Sequence, residues 1–496
     1  MLLGKTYQFW GGLTLLLVIC YFALFWQLGT PIMRNWDEAR NATHAITMAT
    51  EGNYLVRMYE GQPDMWETKP PLLLWLQVLC IKLFGSSIWV FRLPSAMAAL
   101  ATVGIIVRFL WQQTQSLIPG IGAALVMLTS YSYTLDHCAR SADHDALLIF
   151  FEIAICIHFY HYLYSHATTK NKQLLYCFTY LTLAMYTKSI AIFMLLPGLF
   201  IVSLYQLKIL DILKTPRVYL YTIASFGLIG LYYYLHELQT PGYVQAVWNN
   251  ELFPRYFNSA KTYAYNPVEG PFHYIKVLVY QSNIFIVLPA FVFAVASTKF
   301  NTRNAAIYFM VVAFVFYIVA SNGTFNSWYI NPVVPMLAIV SGMGIYAAYL
   351  YIKQFLVTYL KLPYANALLL VVCAGILYEP LRLQLQKESR FASDYYMDYS
   401  YGKLLSIVEK EHPKIKTLSI YIIHYSPSVY FYSELYNKLR NYKVDYVYYN
   451  STIQPKLGSM VMCAQPPLKA QIDTLYTTKP IAAFGDCILY KLITPK

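Results

Sequence analysis

The chain alternates long apolar runs with short polar breaks from residue 7 to about residue 380. Crossing a bilayer takes about 20 mostly apolar residues, and about eleven stretches qualify. They lie near 8–28, 89–110, 119–136, 145–164, 173–187, 190–207, 218–235, 272–297, 304–321, 329–352 and 364–380. The run 70–84, PPLLLWLQVLCIKLF, is apolar but shorter. Thr68 is placed to cap it, Pro70 and Pro71 suit a first turn and Gly85 suits a stop, so an interfacial or re-entrant helix is expected. The first run, YQFWGGLTLLLVICYFALFWQL, is too long and aromatic for a signal-peptide core, and no small-residue cleavage pattern follows it. It is expected to remain as a membrane helix.

After about residue 381 the pattern changes. KTLSIYIIHY, YKVDYVYYN, SMVMCAQ and DCILYKL have the alternation and β-branched or aromatic content of short strands, with SPSVYFYSELYNKLRN as a helix between the first two. The expected architecture is an α-helical polytopic membrane protein with about 11–13 transmembrane helices, occupying residues 1–380 and carrying an outer-face loop at 30–88. A small α/β domain follows over 381–496. No internal repeat stands out, so the inverted-repeat pattern of many transporters is missing.

Composition agrees with the pattern: 58% of residues are hydrophobic and only 12% charged, about half the charged content of a soluble domain. The formal charge of +13 could indicate nucleic acid, but in a membrane protein cytoplasmic loops collect Lys and Arg, and no nucleic-acid partner is expected. Lys170 and Lys172, then Lys208, Lys214 and Arg217, then Lys299 and Arg303, then Lys353 and Lys361 fall on one side of the bilayer in this alternation. That side is read as cytoplasmic. Residues 30–88, the loop 236–271 and everything after about 381 then lie outside. The eight cysteines show no metal-binding spacing. Most are read as small core hydrophobes, while Cys463 and Cys487 could pair in an oxidising compartment.

Charged residues concentrate on the outer side. If Asn35 caps a helix running to about Gly52, then Asp37, Arg40, His44, Thr47 and Glu51 share one face, with Ala42, Ala45, Ile46 and Ala49 opposite. Such a helix would lie on the membrane surface with its charged stripe turned to a cavity or water. Asn35 and Glu38 would make a capping box, so Asp37 taken alone is equally readable as a helix starter. Glu67 and Lys69 sit before the Pro70-Pro71 corner, and HCARSADHDALLIFF places Arg140, Asp143, His144 and Asp145 at the mouth of a membrane helix. A carboxylate there is costly unless paired or functional. His137 and His144 read better as satisfied polar residues. Arg34, Arg40, Arg57, Lys69, Arg92, Arg140, Lys188 and Arg255 also fall on or near the outer side. Guanidinium forks and ammonium charges gathered near carboxylates suit a phosphate, and an entry from lipid suits a lipid phosphate or a sugar carried on one.

Six segments carry a family resemblance. WDEARNATHA, ETKPPLLLWL, FRLPSA, ARSADHDALL, YTKSIA and SWYINPVVPMLA occur in an order that resembles the GT-C glycosyltransferases of the protein O-mannosyltransferase and lipid A aminoarabinose transferase group. The resemblance covers roughly residues 30–345. It implies a GT-C fold, a polyprenyl-phosphate sugar donor, an acceptor that is a lipid such as lipid A, a glycan or a protein, and inversion at the anomeric carbon. It also implies an extracytoplasmic active site, in a bacterial inner membrane. By motif, Asp37 matches the acid of the first outer loop that serves as base or acceptor positioner, and Asp145 matches the second acid. Arg40 and Lys69 resemble the phosphate-holding pair and Tyr329 a phosphate-contacting tyrosine. Glu38 and Arg140 are grouped with these substrate-binding residues.

The chain departs from the family pattern at three places. Thr68 intervenes between Glu67 and Lys69, Phe325 stands near the place of a lysine commonly found upstream of the WY segment, and VEGPFHY offers Glu269 and His273 in place of a histidine ahead of the span. No cofactor is required by the resemblance. A divalent metal would have Glu67, Glu269 and His273 as weak candidate ligands, and these departures put such a site in doubt. The alternative function is a transporter or flippase of an anionic lipid or lipid-linked sugar. That class is expected to hold its ionisable residues near mid-membrane in broken helices, whereas Asp37, Lys69 and Asp145 map to the outer boundary.

Overall fold

The computed structural model describes residues 2–134, 137–164, 167–251, 272–321, 326–358, 396–449 and 455–496. The chain divides into two compact units. One comprises Met1–Trp26, Met65–Leu73 and Ser95–Leu385, the other Gln27–Asp64, Leu74–Pro94 and Gln386–Lys496.

The first unit is helical. Among the described residues six helices are long and apolar enough to cross a membrane: Ile88–Thr114, Asp145–Tyr164, Thr169–Tyr205, Pro216–Gln239, Asn301–Ala320 and Ser327–Thr358. Phe272–Tyr280 and Phe285–Ala296 would make a seventh as a span bent by 95°. The bend falls at Ser282-Asn283, and the Asn283 side-chain amide donates to the Val126 carbonyl at 3.0 Å and to Thr129 Oγ1 at 2.6 Å. A polar side chain thus finds its partners where the helix is interrupted. The runs expected at 173–187 and 190–207 join into one element, whose middle tightens to a 3₁₀ turn at Ser189–Leu195. The run expected at 119–136 is shorter, Ile118–Leu128 followed by a single turn at Tyr131–Thr134. The run at 364–380 lies outside the described residues.

Close packing rests on small residues, as expected where lipid removes the hydrophobic drive between helices. Val333–Thr358 packs on Ile118–Leu128, Ile284–Ala296 and Phe300–Ala320. A Cβ at Gly342 would collide with the Pro119 carbonyl, and one at Gly344 with the Ala290 backbone. Asp145–Tyr164 runs along Ala167–Lys188, and the Tyr308 hydroxyl donates to the Cys156 carbonyl at 2.8 Å.

In the second unit, the helix Asp37–Glu51 packs on Pro427–Leu439. Residues 38–48 are buried all round, which corrects the expected surface helix with one charged stripe: Glu38, Arg40 and His44 find partners inside the unit. Asn35 does not cap it. Asn35 Oδ1 accepts the Ser428 N–H at 3.2 Å, and Trp36 stands at the N-cap position with φ 65°. The next helix, Leu72–Phe84, ends as expected at Gly85, in the left-handed region at φ 84° with its N–H on the Ile81 carbonyl.

Strands β1 (Met58–Tyr59) and β2 (Gln62–Pro63) form a small hairpin. Strands β3 (Thr417–Ile422), β4 (Lys443–Tyr448), β5 (Met460–Cys463), β6 (Tyr476–Phe484) and β7 (Cys487–Pro495) form a sheet of order β4-β3-β5-β7-β6. β3 pairs in parallel with β4 and β5, and β7 antiparallel with β5 and β6. Ser426 caps Pro427–Leu439 by accepting the Val429 N–H. Val461, Cys463, Leu468, Ile472 and Leu492 meet in one core cluster. Cys463 and Cys487, which the sequence allowed to pair, are buried free thiols.

Candidate active site

The residues singled out from the sequence fall into two clusters, one in each unit. In the first unit the cluster is built where the helix Asp145–Tyr164 begins. The His144 carbonyl accepts the Leu148 N–H at 3.0 Å and so opens the helix, while Asp143 Oδ1 accepts the His144 N–H at 2.7 Å. Asp145 follows in the first turn, where the helix dipole favours an anion. Lys188 ends the helix Ala167–Lys188, where the dipole favours a cation, and the break into the 3₁₀ turn frees its side chain. Its ammonium donates to Asp145 Oδ1, both groups being buried. The Lys188 Nζ also lies 5.6 Å from the centre of the Tyr329 ring.

Asp143 is held differently from its neighbour two residues on. His137 Nδ1 lies 2.8 Å from Asp143 Oδ2, His144 Nδ1 lies 3.3 Å from Oδ1, and Ser95 Oγ donates to the Asp143 carbonyl at 2.9 Å. Burial opposes ionisation of Asp143, but the hydrogen bonds from both histidines and the charges of His137 and Lys69 outweigh it and hold the carboxyl well below the usual carboxylate range. Burial pushes the His144 imidazole down to about 4, offset only in part by Asp143. The His137 ring stacks on Trp328 at 4.0 Å between centroids. His137 and His144 both contact the Asp143 carboxylate through Nδ1.

Lys69 Nζ lies 3.1 Å from Glu67 Oε2, both buried. Thr68, expected to cap Leu72–Phe84, instead donates its hydroxyl to Glu251 Oε1 at 3.3 Å, and its carbonyl accepts the Tyr243 hydroxyl at 3.1 Å. Asp145, Lys188 and Tyr329 line a cavity of about 100 Å³ together with Glu152, Glu251 and Trp328, walled by Leu148, Ile190, Phe316 and Val319. Arg140, grouped with the substrate-binding residues from sequence, is buried and donates to the carbonyls of Ala23 and Trp26. The structure uses its fork to hold the segment Tyr21–Phe25 that continues the helix Leu2–Cys20.

In the second unit Asp37 is the half-buried first residue of the helix Asp37–Glu51. Arg40, one turn on, donates to Asp64 and to the Tyr425 hydroxyl, and its guanidinium lies 4.2 Å over the centre of the Tyr59 ring. Burial disfavours its charge, but Asp64, together with Tyr425 and Tyr59, more than compensates and raises its pKa. His44 Nε2 lies 3.0 Å from the same Asp64 carboxylate. Glu38, grouped with the substrate-binding residues from sequence, has a structural task instead. Arg92 pairs with it through two contacts of 2.7 and 3.0 Å, and the Arg34 N–H reaches it at 2.8 Å. The remaining donors of Arg92 go to the carbonyls of Leu28, Pro31 and Ile32. Burial would raise the Glu38 pKa, but Arg92 and then Arg34 bring it below the ordinary value.

Of the weak metal candidates, Glu67 is engaged with Lys69, Glu269 lies outside the described residues, and His273 is the second residue of the helix Phe272–Gln281. Phe325 also lies outside them. Glu152, Glu251, Trp328 and Asp64 were not singled out from the sequence, and Lys188 only as one of many outer cations. The YTKSIA segment carried the signal for Lys188. Glu152 had one too, an acid in the middle of an otherwise apolar run.

Residues 68–233 match the model of the dolichyl-phosphate-mannose-protein mannosyltransferase family. Among solved structures the chain is similar to ArnT from Cupriavidus metallidurans bound to undecaprenyl phosphate, at 14% identity with 98% of both chains covered and a TM-score of 0.70. The apo state of that protein gives 14% identity, the same coverage and a TM-score of 0.68. No curated protein sequence matches. Residues 68–233 thus match that family's model, and the chain as a whole has the fold of ArnT.

Proposed function

We propose that this chain is an inverting glycosyltransferase that moves a sugar from a polyprenyl-phosphate donor to a lipid, glycan or protein acceptor on the extracytoplasmic face of a bacterial inner membrane. The observation that carries the reading is the Asp145–Lys188 pair, buried at a cavity edge beside Tyr329. An anionic leaving group needs a fixed cation in a site of low dielectric, and a buried ammonium supplies it without reorganisation. Lys188 and Lys69 are the cations of the first unit suited to this task. A neighbouring fold whose bound lipid is undecaprenyl phosphate supports the same class of donor.

In the reaction the bond from the anomeric carbon to the phosphate oxygen breaks and polyprenyl phosphate leaves with its electron pair. The acceptor oxygen attacks the opposite face and its proton passes to a carboxylate. Asp37 and Asp145 are the candidate acceptors of that proton, and general-base help of this kind contributes roughly 10²–10⁴-fold. With a phosphate acceptor the same two acids would orient groups rather than take a proton. By motif Arg40 is assigned to the donor phosphate, and Tyr329 to the wall of the cavity that Asp145 and Lys188 line.

The test uses the protein in nanodiscs with a panel of polyprenyl-phosphate sugars and a membrane extract as acceptor source, with transfer followed by mass spectrometry. Transfer by wild type that disappears in folded Asp145→Asn or Asp37→Asn supports the reading. Lipid binding or translocation without transfer from any donor moves the assignment to a lipid carrier.

A further inference from the structure

Glu152 lies seven residues after Asp145 on the same helix, so the two side chains share a face. With a rise of about 1.5 Å per residue, Glu152 sits about 10 Å further along the span. Its exposure is 0%, and among the described residues neither carboxyl oxygen has a hydrogen-bond partner. It lines the cavity that Asp145, Lys188 and Tyr329 also line. Asp145 Oδ2 is likewise unpartnered. One wall of the cavity therefore presents three buried oxygens of unmet hydrogen-bonding capacity. Such groups are costly inside a membrane helix, and their presence points to a ligand that satisfies them.

The charge pattern narrows the ligand. Asp145, Glu152 and Glu251 set three carboxyl groups against one ammonium, Lys188. A phosphate is repelled by such a wall and belongs beside the lysine. A sugar ring offers what the carboxyl groups lack, several hydroxyl donors, while its C–H face suits Ile190, Phe316 and Val319. Resting on the transferase reading above, we propose that Glu152 is a specificity-determining residue: it accepts a hydrogen bond from a hydroxyl of the transferred sugar remote from its anomeric carbon, and so selects the donor.

The experiment compares wild type, Glu152→Gln and Glu152→Leu in nanodiscs, using the polyprenyl-phosphate sugar that wild type transfers best and its monodeoxy analogues. The readouts are kcat and KM for each donor and the thermal unfolding midpoint. Wild type should reject one deoxy analogue strongly, because that analogue leaves a buried acceptor unpaired, whereas Glu152→Leu should accept it within about threefold of the parent donor. The parent donor should lose about 100-fold in kcat/KM with Glu152→Leu and less with Glu152→Gln, which keeps one acceptor oxygen. The midpoint of Glu152→Leu should hold or rise, since an unsatisfied polar group is removed. An unchanged donor ranking in a folded, active variant overturns the assignment of Glu152 and leaves the transferase reading standing. A midpoint that collapses in both variants also overturns it, by giving Glu152 a structural task. No transfer by wild type from any donor brings down the transferase reading and this assignment with it.

Discussion

The ammonium of Lys188, at the C-terminal end of one helix, donates to the carboxylate of Asp145, at the N-terminal end of the helix before it. Each charge is favoured by its own helix end, and each is buried with the other as its counter-ion. Lys188→Ala should therefore destabilise the protein by about 3–5 kcal/mol, because it strands a buried carboxylate. Lys188→Met combined with Asp145→Leu should recover most of the unfolding midpoint while sugar transfer stays lost. Recovery of both together would show that the pair is structural only.

Glu38 and Arg92 are each 1% exposed in the side chain and bind each other through two contacts. Arg92→Ala would leave that carboxylate alone and the carbonyls of Leu28, Pro31 and Ile32 without their donor. A loss of about 3–5 kcal/mol is expected, read as the shift in thermal midpoint. The KM for a lipid-phosphate donor should stay unchanged in any Glu38→Gln protein that folds, because Glu38 is consumed by its partner.

Arg40 reaches Asp64 and Tyr425 with one planar fork and lies over the Tyr59 ring. A lysine is a point charge and cannot keep all three contacts. Arg40→Lys should lower kcat/KM about tenfold or more, equivalent to about 1.4 kcal/mol or more. Tyr425→Phe removes two hydrogen bonds, one accepted from Arg40 and one donated to the Tyr59 hydroxyl, and should change the unfolding free energy by about 1–3 kcal/mol. Steady-state kinetics and unfolding curves on the two variants separate the effects.

Acidification should weaken the fold through His144. Its folded value, about 4, lies below the roughly 6.5 of an unfolded histidine. Between those values the unfolded chain binds a proton that the folded chain refuses, so stability rises with pH across that window and is lost as pH falls through it. The difference corresponds to about 3 kcal/mol. Asp143, held below the usual range, adds a loss of the same sign at still lower pH. His144→Asn should flatten the slope between about pH 4 and 6.5 in unfolding midpoints measured against pH.

Much of the architecture was legible because membrane helices and amphipathic strands announce themselves by period. The helix Pro427–Leu439, strands β3, β4, β5 and β7, and the stop at Gly85 all stand where pattern and turn chemistry put them. Strand β6 did not show itself, because Pro480 lies inside it and proline argues against a strand. The sheet accommodates it at an edge, beside an irregularity between Pro480 and Ala482. The capping role expected of Asn35 failed because its side chain is drawn to Ser428, almost four hundred positions away in sequence. The same limit explains Arg140 and Glu38. A motif tells which charges are near a membrane boundary, but not which of them find a carbonyl or an arginine within their own unit. Asp64 escaped notice because nothing local marks it, and its importance comes from Arg40 and His44 converging on it.

The edge position of β6 has a consequence for how the protein behaves in company. An open strand is a template onto which another chain can add, the first step toward fibres and sticky oligomers. Here the exposed rim offers a proline that cannot donate and a lysine at position 479, broken by bulges, and the opposite rim, β4, begins with Lys443. Both rims of the sheet are thus guarded by their own composition against the addition of another chain's strand.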